Sequence, residues 1–165
     1  MKAIILAGGF GTRLARISGG KPKPLVEVAG QAILERQINF LLSHGMNDIR
    51  LSLHHKADQI IKFCEDRWPK KFEYMVEPIP LGTGGGIRFA SKDLKDPFLV
   101  VNGDTLSDID VAEFVSGAPN AIVGAHQEDA RSYGLLEIAN GKVTSFLEKP
   151  IEKCGGYINA GFYLL

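Results

Sequence analysis

The chain has 165 residues, with 19 Lys plus Arg balanced by 19 Asp plus Glu, two cysteines and four histidines. That length predicts one domain with a core of its own, and the charge balance excludes the basic field that nucleic-acid binding needs, so no nucleic-acid partner is expected. No apolar run reaches the length of a membrane span, the start Met1-Lys2-Ala3-Ile4 lacks the cleavage site of a signal peptide, and Cys64 and Cys154, without metal-ligand spacing, read as free thiols of a reducing cytoplasm.

In chain order, the apolar run Ala3 to Leu6 predicts a buried strand that breaks at Gly8, Gly9 and Gly11. Gln31 to His44 predicts a helix, because Ile33, Leu34, Ile38, Leu41 and Leu42 follow a 3.6 period and Gly45 sits where a C-terminal cap belongs. Asp48 to Leu53 alternates, with Ile49, Leu51 and Leu53 on one face of a strand, and the His54-His55 pair reads as its end rather than as a metal site. A helix over Ala57 to Asp66, turning Ile60, Ile61 and Cys64 inward, is stopped by Pro69. A strand over Phe72 to Val76, a helix over Thr83 to Ser91 and a wholly apolar strand over Phe98 to Val101 follow. Alternating strands and helices imply βαβ units and an α/β fold, a three-layer α/β/α sandwich on a mixed, mostly parallel sheet.

After Asp110 the texture changes. Ala121 to Ala125, Gly134 to Ile138, Val143 to Glu148 and Tyr157 to Leu165 are strand-like, and Asn140-Gly141 between two of them signals a hairpin. This half is expected to extend the same sheet with antiparallel strands, whose edge offers a contact for a homo-oligomer. The chain ends on Phe162-Tyr163-Leu164-Leu165, inside a strand pattern, so further sequence is expected beyond it.

Chemistry concentrates first in Leu6 to Leu14. Glycines at 8, 9 and 11 permit a tight turn whose N–H groups converge on one place, which suits an anion. Arg13 and Lys23 add positive charge at either end of the segment, and together they describe a polyphosphate site. A Walker A loop fails, since the fifth residue after Gly8 is Arg13; a dinucleotide loop fails, since its last glycine would be Leu14. A structural glycine turn beside two surface cations is the plain alternative. The second glycine-rich stretch, Glu77 to Gly86, opens a helix whose N-terminus is partly positive; an ordinary loop-to-helix transition explains it equally. Asn102-Gly103-Asp104 directly follows a buried strand, where ligands of open α/β sheets bind, and a carboxylate there can hold Mg²⁺; an Asn-Gly turn with a solvated Asp is the other reading. Asp108-Ile109-Asp110 has the Asp-x-Asp form of metal-dependent glycosyltransferases, but Asp110 to Glu113 has the spacing of a helix capping box, which accounts for Asp110 without a metal.

Leu6-Ala7-Gly8-Gly9-Phe10-Gly11-Thr12-Arg13-Leu14, followed by Pro22-Lys23-Pro24-Leu25, resembles the N-terminal signature of the sugar-1-phosphate nucleotidylyltransferases. The match extends over nearly the whole chain. Its Pro-Leu-Gly-Thr-Gly-Gly, Ser-Tyr-Gly and Ile-Asn-Ala-Gly segments look most like the guanylyltransferases of heptose or mannose 1-phosphate. The resemblance implies a Rossmann-like fold shared with glycosyltransferases of type A, a nucleoside triphosphate and a sugar 1-phosphate as substrates, and Mg²⁺ as cofactor. It implies nucleotide binding by Leu6, Ala7, Gly8, Gly9, Gly11, Thr12, Glu77, Gly82 and Thr83, with Glu77 and the backbone near Gly82 facing the base. Arg13 would hold the outer phosphates, Lys23 would bridge the α-phosphate and the incoming phosphate, and Asp104 would carry the metal. Tyr133 and Gly134 would contact the sugar ring, Glu148 its hydroxyls, Lys149 its phosphate, and Asn159 and Gly161 would wall the pocket. The family supplies a second metal carboxylate from a later strand, expected to lie beyond Leu165.

The expected activity is transfer of a nucleoside monophosphate to a sugar 1-phosphate with loss of pyrophosphate, GTP being preferred and UTP or dTTP the alternatives. A non-catalytic nucleotide-sugar-binding subunit and a glycosyltransferase are the readings from other classes.

Overall fold

A computed structural model describes residues 1–11 and 19–165. Its centre is β1 (Lys2–Leu6), where Ala3, Ile4 and Ile5 are wholly buried. Ala3 and Ile5 face one layer of the core and Ile4 the other, as alternation along a strand covered on both faces requires. Burial of the Ile4 and Ile5 side chains contributes roughly 1.5–3 kcal/mol of transfer free energy each.

Next come β2 (Glu27–Val28) and β3 (Gln31–Ala32), a small antiparallel hairpin of its own. Here the structure differs from the sequence expectation. Gln31 and Ala32 belong to the hairpin and α1 (Ile33–Ser43) starts after them. The turn residues Ala29 and Gly30 both have positive φ, 50° and 78°, the geometry of a tight hairpin turn, and Arg36 Nη2 donates to Val28 O at 2.7 Å to hold it against the helix. Gly45, with φ 76°, ends α1 as expected.

The chain continues through β4 (Asp48–Leu53), α2 (Ala57–Arg67), β5 (Glu73–Val76), α3 (Gly82–Ala90), β6 (Leu99–Asn102) and α4 (Val111–Ser116). Asp110 caps α4, its Oδ1 accepting from the Glu113 N–H at 3.0 Å. Then follow β7 (Ala121–Gln127), β8 (Gly134–Ala139), β9 (Lys142–Glu148) and β10 (Gly156–Leu164). Asn140 and Gly141, with φ of 53° and 72°, turn β8 into β9.

One eight-stranded sheet runs β5-β4-β1-β6-β10-β8-β9, with β7 paired to β10. The first four strands are parallel; β10 enters antiparallel to β6 and begins the extension expected from the sequence. From β1 the chain moves outward to β4 and β5, then returns to lay β6 on the other side of β1. Right-handed crossovers therefore put α1 and α2 on one face and α3 on the opposite one. The reversal of strand order lies between β1 and β6, where doubly wound sheets open a crevice at the carboxyl ends of their strands.

Alternation in β4 leaves Arg50 and Ser52 opposite the apolar residues, and α3 buries that face too: Arg50 is 5% and Ser52 1% exposed. The Arg50 guanidinium is fully engaged, donating to Glu73 at 2.7 Å, to Asp93 at 2.6 and 2.8 Å and to Ala90 O at 2.6 Å. Its hydrogen bonds hold the Asp93 carboxyl down at about 2, and Lys2, then Arg50, hold Glu73 below the usual carboxylate range. Both carboxyls thus bind protons more weakly in the folded chain. Their stabilisation is complete above the unfolded value near 4 and is lost as pH falls toward 2. It is modest, because the Glu73 and Asp93 side chains are 53% and 56% exposed. In denaturant unfolding at stepped pH, the midpoint should fall between about pH 4 and pH 2, and Asp93→Asn should flatten that fall; an unchanged slope in the variant would remove Asp93 from the acid transition.

Candidate active site

The loop after β1 is strapped to the end of β4. The Ala7 N–H donates to Ser52 O at 2.8 Å and the His55 N–H to Gly8 O at 3.3 Å. A Cβ on Gly8 would meet His54 N at 3.1 Å, whereas Gly9 faces open space. Gly11 has φ 61°, and a Cβ there would lie 2.7 Å from Lys23 Cβ, so the loop and the Lys23 segment touch at a position that excludes a side chain. Lys23 opens a single 3₁₀ turn, Lys23–Leu25, with Pro22 extended before it and Pro24 buried. Phe10 is half-exposed beside this loop, its ring 5.7 Å from that of His54 and 5.2 Å from that of His55.

The loop after β6 meets the first one backbone to backbone. The Gly103 N–H donates to Leu6 O at 2.8 Å, and a Cβ on Gly103 would stand 2.4 Å from that oxygen. Only glycine fits. The contact brings Asp104 to the cleft, where its carboxylate pairs with the Lys23 ammonium, 81 residues away in sequence. Both remain open to solvent, with side chains 32% and 41% exposed for Lys23 and Asp104.

Glu77 builds the opposite wall. It is 8% exposed; its carboxylate accepts from the Ser52 hydroxyl at 3.1 Å and the Leu81 N–H at 3.0 Å, while its carbonyl bonds His54 Nδ1 at 2.9 Å. A Cβ on Gly86 would lie 2.8 Å from Glu77 Oε1, so the glycines of α3 let the helix lie close over this carboxylate. Each carboxylate oxygen keeps a lone pair beyond the bond it already accepts.

These walls enclose a cleft of about 340 Å³, within the range of small-molecule sites. Of the residues singled out from sequence, Leu6, Ala7, Gly8, Gly9, Lys23, Glu77, Gly82, Thr83 and Asp104 line it. Gly11 stands behind, against Lys23. Thr12 and Arg13 lie outside the described residues. Phe10, Pro24, Pro80, Leu81, Gly86, Asn102 and Gly103, from the same stretches, also line the cleft, and Ser52 is the lining residue that no sequence motif had pointed to. Ser52 had left one weak signal, a small hydroxyl on the polar side of the alternating strand Asp48–Leu53.

The remaining candidates sit elsewhere. Tyr133, Gly134, Glu148 and Lys149 gather where β8 and β9 meet: the Lys149 N–H donates to Tyr133 O at 2.9 Å, and Lys149 Nζ pairs with Glu148 at 2.7 Å. Gly134 lies under the Phe146 ring, where a Cβ would stand 2.2 Å from Phe146 Cζ. Asn159 is committed within β10, its Nδ2 donating to the Tyr163 hydroxyl at 2.7 Å and its Oδ1 accepting from the Gly161 N–H at 2.8 Å. None of these lines the cleft.

Among the described residues no group of three or more His, Cys, Asp or Glu is placed to hold a metal by itself. The cleft instead offers the solvent-facing Asp104 carboxylate. That donor set fits Mg²⁺, which takes one or two carboxylates and completes its shell with phosphate oxygens and water, and it does not fit zinc.

The family model described as Nucleotidyl transferase matches residues 2–165. The chain is 36% identical over 176 residues to the mannose-1-phosphate guanylyltransferase catalytic subunit beta of Dictyostelium discoideum, covering 99% of this chain and 49% of that protein. It is 37% identical over 179 residues to a mannose-1-phosphate guanyltransferase of Aspergillus oryzae, covering 100% and 49%. It thus spans about half the length of these relatives. The crystal structure of HddC from Yersinia pseudotuberculosis complexed with GMP-PN superimposes with a TM-score of 0.86 at 38% identity, over 99% of this chain and 76% of that one.

Because the Gly103 contact is with backbone, Gly103→Ala should destabilise the chain by about 1–3 kcal/mol in denaturant unfolding, while Gly9→Ala, which meets nothing within 4 Å, should change stability little. Equal stability of Gly103→Ala and the parent would contradict the close approach.

Proposed function

Since the chain belongs to the nucleotidyl transferase family, we propose that it transfers a nucleoside monophosphate from a nucleoside triphosphate to a sugar 1-phosphate and releases pyrophosphate. Residues 1–165 are, in this reading, its nucleotidyltransferase domain. The observation that carries it is the meeting of the β1 loop, Lys23 and Asp104 in one cleft. A sugar-phosphate oxygen attacks the α-phosphorus in line and pyrophosphate leaves, with no covalent enzyme intermediate. Catalysis then reduces to bringing two anions together and neutralising their charge.

The loop amides from Gly8 to Gly11, with Arg13, hold the outer phosphates. Lys23 lies between the α-phosphate and the incoming phosphate and lowers their repulsion. Asp104 is the carboxylate for Mg²⁺, which when bound supplies charge neutralisation at the α-phosphate and the leaving group. The resting Lys23–Asp104 pair keeps both charges in register until substrate arrives. Glu77, held by Ser52 and Leu81, presents an acceptor to the ring and amino N–H groups of guanine, and the names of the relatives support GTP with mannose 1-phosphate; D-glycero-D-manno-heptose 1-phosphate is the other acceptor in this reading. The cluster of Tyr133, Gly134, Glu148 and Lys149, together with Asn159 and Gly161 of β10, is assigned to the sugar phosphate.

No helix among the described residues is long and apolar enough to cross a membrane. Two free thiols, one of them Cys64, pushed up to about 12 by burial and so inert, support a reducing, cytoplasmic setting.

The test is pyrophosphate release from GTP, UTP, dTTP and ATP, each with mannose, heptose and glucose 1-phosphate and Mg²⁺. GTP with mannose or heptose 1-phosphate should be fastest; release of nucleoside diphosphate from a preformed nucleotide sugar instead would identify a glycosyltransferase. Lys23→Ala should lower turnover by about 10²–10³-fold, the effect of losing one preorganised charge-stabilising donor, and near-normal turnover would take Lys23 out of the mechanism. Asp104→Asn should fold normally by circular dichroism yet lose Mg²⁺-dependent activity; full metal-dependent activity would reject its role.

A further inference from the structure

The Asp104 loop has a support that does not line the cleft. Gln37, on the inner face of α1, is 1% exposed. Its Nε2 donates to the carbonyl oxygens of Asn102 at 2.5 Å and of Thr105 at 2.9 Å. Those carbonyls bracket Gly103-Asp104, so both N–H bonds of one amide are spent on the main chain either side of the carboxylate-bearing residue. The amide has one workable orientation here, because the flipped one would set Oε1 against two carbonyl oxygens. Oε1 itself is buried and has no partner among the described residues. A purely apolar residue at this place would spare that unsatisfied acceptor, so packing alone does not account for glutamine. The far side of the loop is closed by β10: a Cβ on Gly161 would lie 2.8 Å from Asn102 Nδ2 and 2.9 Å from Thr105 Oγ1. The loop is thus pinned by Leu6 O, by Gln37 and by β10; β10 packs against side chains on both flanks of Asp104, whereas Gln37 hydrogen-bonds the main chain on both.

We infer that Gln37 is a positioning residue for Asp104: it sets the carboxylate's place through the Asn102 and Thr105 carbonyls, and so governs turnover rather than nucleotide binding. The inference rests on the transferase reading of the cleft. Binding and turnover separate because, among the described residues, the β1 loop and the Glu77–Thr83 wall, which hold the nucleotide in that reading, make no hydrogen bond to Gln37. A displacement of about 1 Å at a charge that acts in the transition state costs on the order of 10²-fold in rate.

Two variants test it. Gln37→Met keeps the volume and removes both donors. Gln37→Glu keeps the shape, and its carboxyl, neutral once protonated, recovers one donor as pH falls. The expected result for Gln37→Met is faster amide hydrogen exchange at Gly103, Asp104 and Thr105 but not at Leu81 to Thr83, a fall in kcat of about 100-fold and a KM for GTP within about 3-fold of the parent. Gln37→Glu should keep more turnover than Gln37→Met, increasingly so at lower pH. Unchanged loop exchange, faster exchange with unaltered kcat, or two variants equally active at every pH would each overturn the inference. Should Gln37→Met not fold, Gln37→Glu compared with the parent across pH decides alone, by recovery or its absence. A parent chain that releases no pyrophosphate would sink the transferase reading, while the exchange comparison would still decide whether Gln37 holds the loop.

Discussion

The cleft depends on one close approach. At the switch point of the sheet, the loop leaving β6 lies against the loop leaving β1 with only the Gly103 N–H and the Leu6 carbonyl between them. Any side chain at Gly103 would separate the two loops. With the loops in contact, a lysine carried by the first segment and an aspartate carried by the second fall within an ion pair, although they stand 81 positions apart in sequence. Parallel pairing of β1 with β6 in fixed register, Leu6 opposite Asn102, is what makes that meeting reproducible.

The other wall follows the same logic. Three successive glycines, 84 to 86, weaken α3 as a helix, each by roughly 0.5–1 kcal/mol relative to alanine. At Gly86 the compensation is visible: the helix comes within reach of the Glu77 carboxylate, which in turn takes the Leu81 N–H at the start of that helix. An acidic side chain buried at the end of a strand is costly unless it is hydrogen-bonded. Here Ser52 from β4 and Leu81 from the loop supply the donors, and the carboxylate is held at the cleft surface rather than left to solvent.

The two halves of the chain divide the work. The parallel half carries the cleft, while the antiparallel extension carries the Tyr133–Lys149 cluster, tied together by the Lys149 N–H and the Tyr133 carbonyl. β10 belongs to both, pairing with β6 through Phe162–Leu164 and with β8 through Tyr157–Ile158. Its irregularity around Gly161, with φ 77°, presses against the Asp104 loop. In the proposed reaction this strand is the mechanical link between the triphosphate side and the acceptor side.

Much of this could be read from the chain before any coordinates. The buried strands, the Asn140-Gly141 hairpin, the Asp110 cap and the glycine-rich loop after Leu6 are local signals: turn chemistry, side-chain period and capping residues act over a few positions, so they survive in one dimension. Three things belonged to the tertiary structure. Gln31 and Ala32 have helical neighbours but pair with Glu27 and Val28, because an Ala29-Gly30 turn of positive φ makes the hairpin available. Arg50 and Ser52 read as the polar face of a half-buried strand, and the handedness of the β5–β6 crossover covers them with α3. Finally, which of the candidate residues share a cavity depended on strand register and on a glycine-sized gap between two loops. Periodicity records neither, since both arise from contacts between segments far apart in sequence.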